Sequence, residues 1–214
     1  MKVTLINYSQ TCDNKNLLEQ VAFAARVSNP SNQHNSETAE KLVRYLIKNK
    51  HWSPFEMVNV CLEIETTRDI ARQILRHRSF SFQEFSQRYS DVSQLGFEVR
   101  EVRLQDLKNR QNSIITDDKV LQNQWDSIQR VLMTKIKTHY EWALENGIAK
   151  EQARAILPEG MTKSRMYMNG TLRSWIHYIQ IRSGIETQKE HRDIAIACAD
   201  VIESIFPMIN EFVK

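Results

Sequence analysis

Between Met57 and Thr66 the chain alternates: Val58, Val60, Leu62 and Ile64 on one side, Asn59, Cys61, Glu63 and Glu65 on the other. Successive side chains of an extended chain point to opposite faces, so this segment reads as a strand with one buried and one wet face. Val3 to Tyr8 reads as a shorter strand. The rest is dominated by helical spacing. Leu17, Leu18, Val21 and Ala25 form one stripe, and Ala39, Leu42, Val43 and Leu46 a second. Ser36 is the predicted N-cap of that second helix, with Lys48 and Lys50 near its end. A third helix is predicted from about Arg68, with Ile70, Ile74 and Leu75 apolar. Gln73, Arg76 and His77, at i, i+3 and i+4, then share one face. Trp125, Ile128, Leu132, Ile136, His139, Tyr140 and Ala143 mark a long helix ending before Gly147, and a shorter one leads from Lys150 to Pro158. A helix over 171–182 follows, then a stripe through Ile194, Cys198, Val201, Ile202 and Ile205, with Pro207 starting a separate final turn. The expected fold is α+β: a few-stranded antiparallel sheet packed with several helices, in one domain spanning residues 1–214.

Composition excludes several classes. A net charge of +3 is too small for a general nucleic-acid binder. Cys12, Cys61 and Cys198 are isolated, with no metal-type spacing, which fits a reducing cytoplasm rather than a disulfide framework. No stretch approaches the ~20 apolar residues of a membrane helix. With five glycines and no glycine-rich fingerprint, the chain has no Rossmann-type dinucleotide site.

The segment Arg76 to Tyr89 holds three arginines, one histidine and three serines against a single acid, Glu84. Guanidinium forks match phosphate oxygens two at a time, and serine hydroxyls fill the remaining acceptor sites. Phe80, Phe82, Phe85 and Tyr89 add flat apolar surface. On composition alone the segment reads equally as a solvated basic loop. A single-stranded nucleic-acid binding module, with arginines on phosphates and these aromatics stacked on bases, is a further reading. Lys108 to Ser113 is a second polar cluster, open between a ligand contact and plain surface.

The order of residues goes further. Arg76, His77, Arg78, Ser81, Glu84, Ser86, Arg88 and Tyr89 occupy the fixed positions of the signature Arg-His-Arg-x-x-Ser-x-(Asn or Gln)-Glu-x-Ser-x-Arg-Tyr, and the segment resembles that of the flavin-dependent thymidylate synthases. Ala25 to Ser28, His51 to Glu56, Ala153 to Pro158, and Gly170 to Tyr178 with Ile181-Arg182 and Thr187-Gln188 resemble the family's other motifs, in family order. Gln83 stands where many members carry Asn, and Glu186 where members commonly place His.

This resemblance implies reductive methylation of dUMP to dTMP, with methylenetetrahydrofolate as carbon donor, NADPH as reductant and FAD as redox intermediary. It implies FAD contacts from Ser53, Arg76, His77, Arg78, Glu84, Arg173 and His177, with His51 and Ser28 secondary. It implies nucleotide contacts from Gln73, Arg76, Glu84, Ser86, Gln87, Arg88, Arg154 and Arg182. It also implies a homotetramer with active sites shared between subunits. Activating C5 of uracil requires electron density, supplied either by a cysteine attacking C6 or by a cation stabilising the ring anion. None of the three cysteines lies among basic residues in sequence, and the resemblance gives the second role to Arg182. Taken by themselves, Arg182 reads first as a cation complementing a helix C-terminus and His177 as a structural histidine; the resemblance reverses both readings.

Overall fold

The computed structural model describes residues 1–214. Its strands are β1 (Lys2–Tyr8), β2 (Asn59–Thr67), β3 (Phe80–Glu84), β4 (Arg103–Gln105), β5 (Ser113–Ile115) and β6 (Lys163–Thr171). Its helices are α1 (Leu17–Ala25), α2 (Ala39–Lys48), α3 (Arg68–Ile74), α4 (Lys119–Glu145), α5 (Lys150–Ala153), α6 (Leu172–Arg182) and α7 (Lys189–Glu203). Four strands form an antiparallel sheet in the order β1-β2-β6-β3, while β4 and β5 make a separate hairpin. The fold is α+β, as expected.

The alternation in β2 has the predicted consequence. Val60, Leu62 and Ile64 are fully buried, and Met166 and Met168 of β6 join them in one core with Trp175 and Ile179 of α6 and Ile194 and Cys198 of α7. Burying a large apolar side chain contributes about 1.5–3 kcal/mol. Trp175 keeps its polar atom satisfied by donating from Nε1 to the Val60 carbonyl at 3.0 Å. The opposite face of the sheet is polar: Arg165 lies 2.6 Å from Glu65 and 3.8 Å from Glu63.

Several local expectations are corrected. Ser36 is not a cap: α2 starts at Ala39 after Thr38, whose hydroxyl accepts from Arg26 at 2.7 Å instead of capping the helix. Lys50 lies past the helix end at φ 59°. Helix α3 stops at Ile74, so Arg76 and His77 do not share its face with Gln73. The His77 amide bonds to the Ile74 carbonyl, a tighter three-residue closure that turns the chain out of the helix. The signature then continues as β3 rather than a loop, with Phe80 and Phe82 half-buried and Ser81 and Gln83 exposed. Its partner β6 carries no predicted strand, yet it is a central one. Ser164, Met166, Met168 and Gly170 are its buried positions.

One close approach explains a glycine. Gly170 is opposite Phe80 in the β3–β6 register, and a Cβ there would sit 2.4 Å from Phe80 Cδ1. The Phe80 ring lies over this gap and packs edge-on against Trp175, centroids 4.9 Å apart.

Helix α4 is helical as predicted, but its apolar stripe is only half used. Tyr140 and Ala143 are buried in a small cluster with Val92 and Ala153, whereas Trp125, Ile128 and Leu132 are 40%, 52% and 47% exposed. No helix is long and apolar enough to cross a membrane.

Candidate active site

The turn between α3 and β3 brings His77 to the C-terminal end of α6 and Ser79 to its first turn. His77 is the junction. Arg182, the last residue of α6, donates from Nε to His77 Nε2 at 2.9 Å. That bond requires an unprotonated Nε2, and the surroundings supply the condition. Burial, then the positive Arg182, then His177 push the His77 pKa down to about 4. The Arg182 guanidinium is half-buried, and this neutral imidazole is its only side-chain partner in the chain. A cation so placed is an acceptor-seeking group at the site.

On one side of His77, Ser79, Ser174, Arg173, His177, Glu56 and Trp52 line a cleft of about 410 Å³. Arg173 and His177 reach it together from successive turns of α6, because residues four apart share a face. Arg173 pairs with Glu56 there, and Ser174 Oγ donates to the Ser79 carbonyl at 3.2 Å. Ser53 is exposed at the start of the 3-10 turn Ser53–Met57, which carries Glu56. Arg76 and Arg78 are exposed and make no ion pair or side-chain hydrogen bond within the chain. Of the secondary candidates, His51 packs edge-on to Tyr45, and Ser28 lines a second cleft with Asn29 and Thr38.

Glu84 is placed differently. At the far end of β3 it accepts from Ser164 Oγ at 2.7 Å and lies 3.4 Å from Arg68, with both charged side chains largely buried. Its carboxylate is therefore part of an internal pair. Beyond it, Ser86, Arg88 and Tyr89 are exposed, and Gln87 is buried with its amide nitrogen unpartnered. A buried unpaired donor is costly unless a ligand or water meets it. Lys150 donates to the Tyr89 carbonyl at 2.9 Å and Arg88 lies 3.7 Å from Glu151, so residues 88–89 are tied to α5. Half-buried Arg154 follows α5 directly and has no side-chain partner in the chain. The structure thus gathers Arg76 to Ser79 with α6 at one end of β3, and Ser86 to Arg88 with Arg154 at the other.

Sequence reasoning missed what lies behind His77. His191, fully buried on α7, contacts Gln73 Oε1 through Nδ1 and the Tyr178 hydroxyl through Nε2, both at 3.2 Å. Gln73 Nε2 donates to Gln188 Oε1 at 2.8 Å, Gln188 Nε2 to Glu190 Oε2 at 3.0 Å, and Glu190 pairs with Arg103. The available signal was a histidine on the apolar stripe Ile194, Cys198, Ile202. The Lys108 to Ser113 cluster forms the tip of the β4–β5 hairpin; its residues Arg110 to Ser113 line a cleft that also includes Arg103 and Gln188.

Cys198 and Cys61 are poor candidates for a nucleophile at this site. Cys198 is fully buried in the core, and burial raises the thiol pKa of both Cys198 and Cys61. The stacking platform needed by a nucleic-acid module is also missing: Phe80, Phe82 and Phe85 are half-buried and only Tyr89 stands free.

Comparison with known proteins identifies the family and the fold. The family model described as thymidylate synthase complementing protein matches residues 4–208. The probable flavin-dependent thymidylate synthase of Paramecium bursaria Chlorella virus 1 is 50% identical over 191 residues, covering 89% of this chain and 88% of its own. The flavin-dependent thymidylate synthase of Synechocystis sp. is 49% identical over 189 residues, covering 88% of this chain and 86% of its own. Among solved structures, the UMP/dUMP methylase PolB from Streptomyces cacaoi, bound with 5-Br dUMP, superposes with a TM-score of 0.83 at 25% identity, covering 99% of this chain and 93% of that one. Matching motifs, matching fold and relatives at half identity over most of their length lead to one conclusion: the chain belongs to the family of the flavin-dependent thymidylate synthases.

Proposed function

We propose that residues 1–214 act as one domain that methylates dUMP reductively to dTMP, with methylenetetrahydrofolate as carbon donor, NADPH as reductant and FAD as redox intermediary. The observation that carries this reading is Arg182: a half-buried guanidinium whose only side-chain partner is the neutral imidazole of His77. A guanidinium so placed stabilises negative charge on the uracil carbonyls when the ring loses its N3 proton. That is the alternative to cysteine attack, and the burial of Cys198 supports it.

The residues present fit a flavin dinucleotide. Arg76 and Arg78 are unpaired cations suited to its pyrophosphate, and Arg173, His177 and Ser53 stand at or beside the neighbouring cleft. FAD, when bound, supplies the redox chemistry that the side chains lack. Glu84 serves as a positioning group for Arg68 and Ser164, and reaches cofactor or substrate only by exchanging those contacts. The dUMP phosphate, close to two negative charges, suits Ser86, Arg88 and Arg154, with the orphan Gln87 amide beside them. The exposed apolar face of α4 supports a homotetramer, in which such a face is covered by another subunit. A cytoplasmic location accords with the three unpaired cysteines.

The test is spectroscopic and then chemical. Purified protein should show flavin absorbance that bleaches with NADPH and dUMP under anaerobic conditions, and should form dTMP when methylenetetrahydrofolate is added. A colourless protein that takes up no FAD would refute the reading.

A further inference from the structure

The side chains running from Glu190 to Tyr178 have a single hydrogen-bond direction, and one group sets it. Burial by itself pushes the Glu190 pKa up, but its own backbone N–H, the Gln188 amide and the Arg100 and Arg103 guanidiniums outweigh that and leave it lowered. An ionised carboxylate only accepts. Gln188 must therefore turn its NH2 to Glu190 and its oxygen to Gln73. Gln73 must then turn its NH2 to Gln188 and its oxygen to His191. His191 Nδ1 is left as the donor to that oxygen, and Nε2 as the acceptor of the Tyr178 hydroxyl. Burial keeps the Tyr178 phenol protonated and lowers the His191 pKa to about 3, so neither end of the run reverses at neutral pH.

Every link leans on another, and the run touches the site twice. Gln73, half-buried like Gln188 and Glu190, sits on the last turn of α3. Tyr178 packs edge-on to His77 at 4.9 Å, and His191 lies 6.3 Å from the same ring. An amide side chain in water flips freely between two orientations. Here a flip of Gln73 would set its nitrogen against the His191 N–H and its oxygen against Gln188 Oε1, losing two bonds at once.

We propose that His191, which no site motif includes, is a positioning residue for the nucleotide: through the run anchored on Glu190 it locks the Gln73 amide in one orientation and braces the His77 ring that holds Arg182. The inference rests on the reading of this site as a dUMP site. The locked amide offers its second N–H as a fixed donor, suited to the oxygen-rich uracil nucleotide. A merely structural His191 would fill space and satisfy its own two nitrogens, without bearing on dUMP affinity.

The experiment compares FAD-loaded wild type with His191→Leu, His191→Asn and Glu190→Gln, reading dUMP affinity by calorimetry, KM and kcat by dTMP formation, FAD content by absorbance and stability by melting. Asn places an amide N–H close to the position of Nδ1, so it keeps the donor to Gln73 while losing the Tyr178 contact. The expected result is that His191→Leu weakens dUMP binding and raises KM about tenfold, the equivalent of one hydrogen bond of about 1.4 kcal/mol. FAD content is retained, kcat falls much less than affinity, and His191→Asn recovers most of the affinity despite a lowered melting temperature. Glu190→Gln, which removes the acceptor-only terminus, raises KM severalfold and carries the test should His191→Leu fail to fold. Unchanged dUMP affinity in His191→Leu, or equal affinity in the Leu and Asn variants, overturns the positioning role. A wild type that binds dUMP but forms no dTMP refutes the proposed reaction while the affinity comparison still decides this inference. A wild type that does not bind dUMP overturns both.

Discussion

Arg182 and His77 are joined by one hydrogen bond of 2.9 Å between two groups that would repel if the imidazole were charged. The contact therefore fixes the protonation state of His77 and leaves the terminal nitrogens of Arg182 for a ligand. It ties α6 to the signature turn without an intervening carboxylate.

Replacing Arg182 with alanine should remove the group proposed to stabilise the uracil anion. Loss of one such preorganised electrostatic group costs about 10²–10³ in kcat. The variant is expected to retain its FAD, measured by absorbance, while dTMP formation falls at least a hundredfold. Turnover within a few fold of wild type would exclude the assigned role.

Stability should fall as the solution is acidified below the ordinary histidine range. In the unfolded chain His77 and His191 titrate near 6.5, whereas folding lowers them to about 4 and about 3. Between these values the unfolded state binds more protons, so stability is full above about 6.5 and declines as pH falls through the folded pKa values. Melting temperatures between pH 7.5 and pH 5, where carboxylates stay ionised, should decrease steadily. His77→Gln should flatten that slope, and an equal slope in both proteins would contradict the assignment. The groups facing His77 in this argument are Arg182, His177, Tyr178 and His191.

Gly170→Ala inserts a methyl group where Phe80 already lies 2.4 Å from the Cβ position. Overpacking of this kind costs about 1–3 kcal/mol, read as a lowered denaturation midpoint. Combining it with Phe80→Ala should give less than the sum of the two losses, because the residues are in contact. Strict additivity would show that Phe80 does not occupy that gap in solution.

Leu132→Glu on α4 should split the proposed tetramer. A charge on a covered apolar face is expected to shift sedimentation from tetramer to smaller species and to abolish dTMP formation if sites are shared between subunits. A wild type that sediments as a monomer would remove the tetramer from the proposal.

Much of the fold was legible because its periodicities are local. Val58 to Ile64 declared a half-buried strand, and the stripes of α1, α2 and α7 declared their helices. Strand β6 was not legible. Its buried positions are Ser164, Met166, Met168 and Gly170, two of them without hydrophobic character, so the alternation is masked; its place is set by cross-strand pairing with β2 and β3. Strand β3 is only five residues long and follows a helix without a turn motif, so the alternation of Phe80 and Phe82 with Ser81 and Gln83 is too short to declare it. At the site, motif order named Arg76, His77 and Arg182, but no spacing rule joins His191 to Gln73, 118 positions away. The α4 stripe shows the converse: a legible pattern says that a face is apolar and not what covers it.

Strand β3 also acts as a ruler. Its five residues, at about 3.4 Å each, separate Arg76–Ser79 from Ser86–Arg88 by roughly 17 Å. No single phosphate can be grasped by both ends of the signature. The segment is two handles on one rigid bar, and damage to one should leave the contacts of the other intact, because the sheet holds it in place.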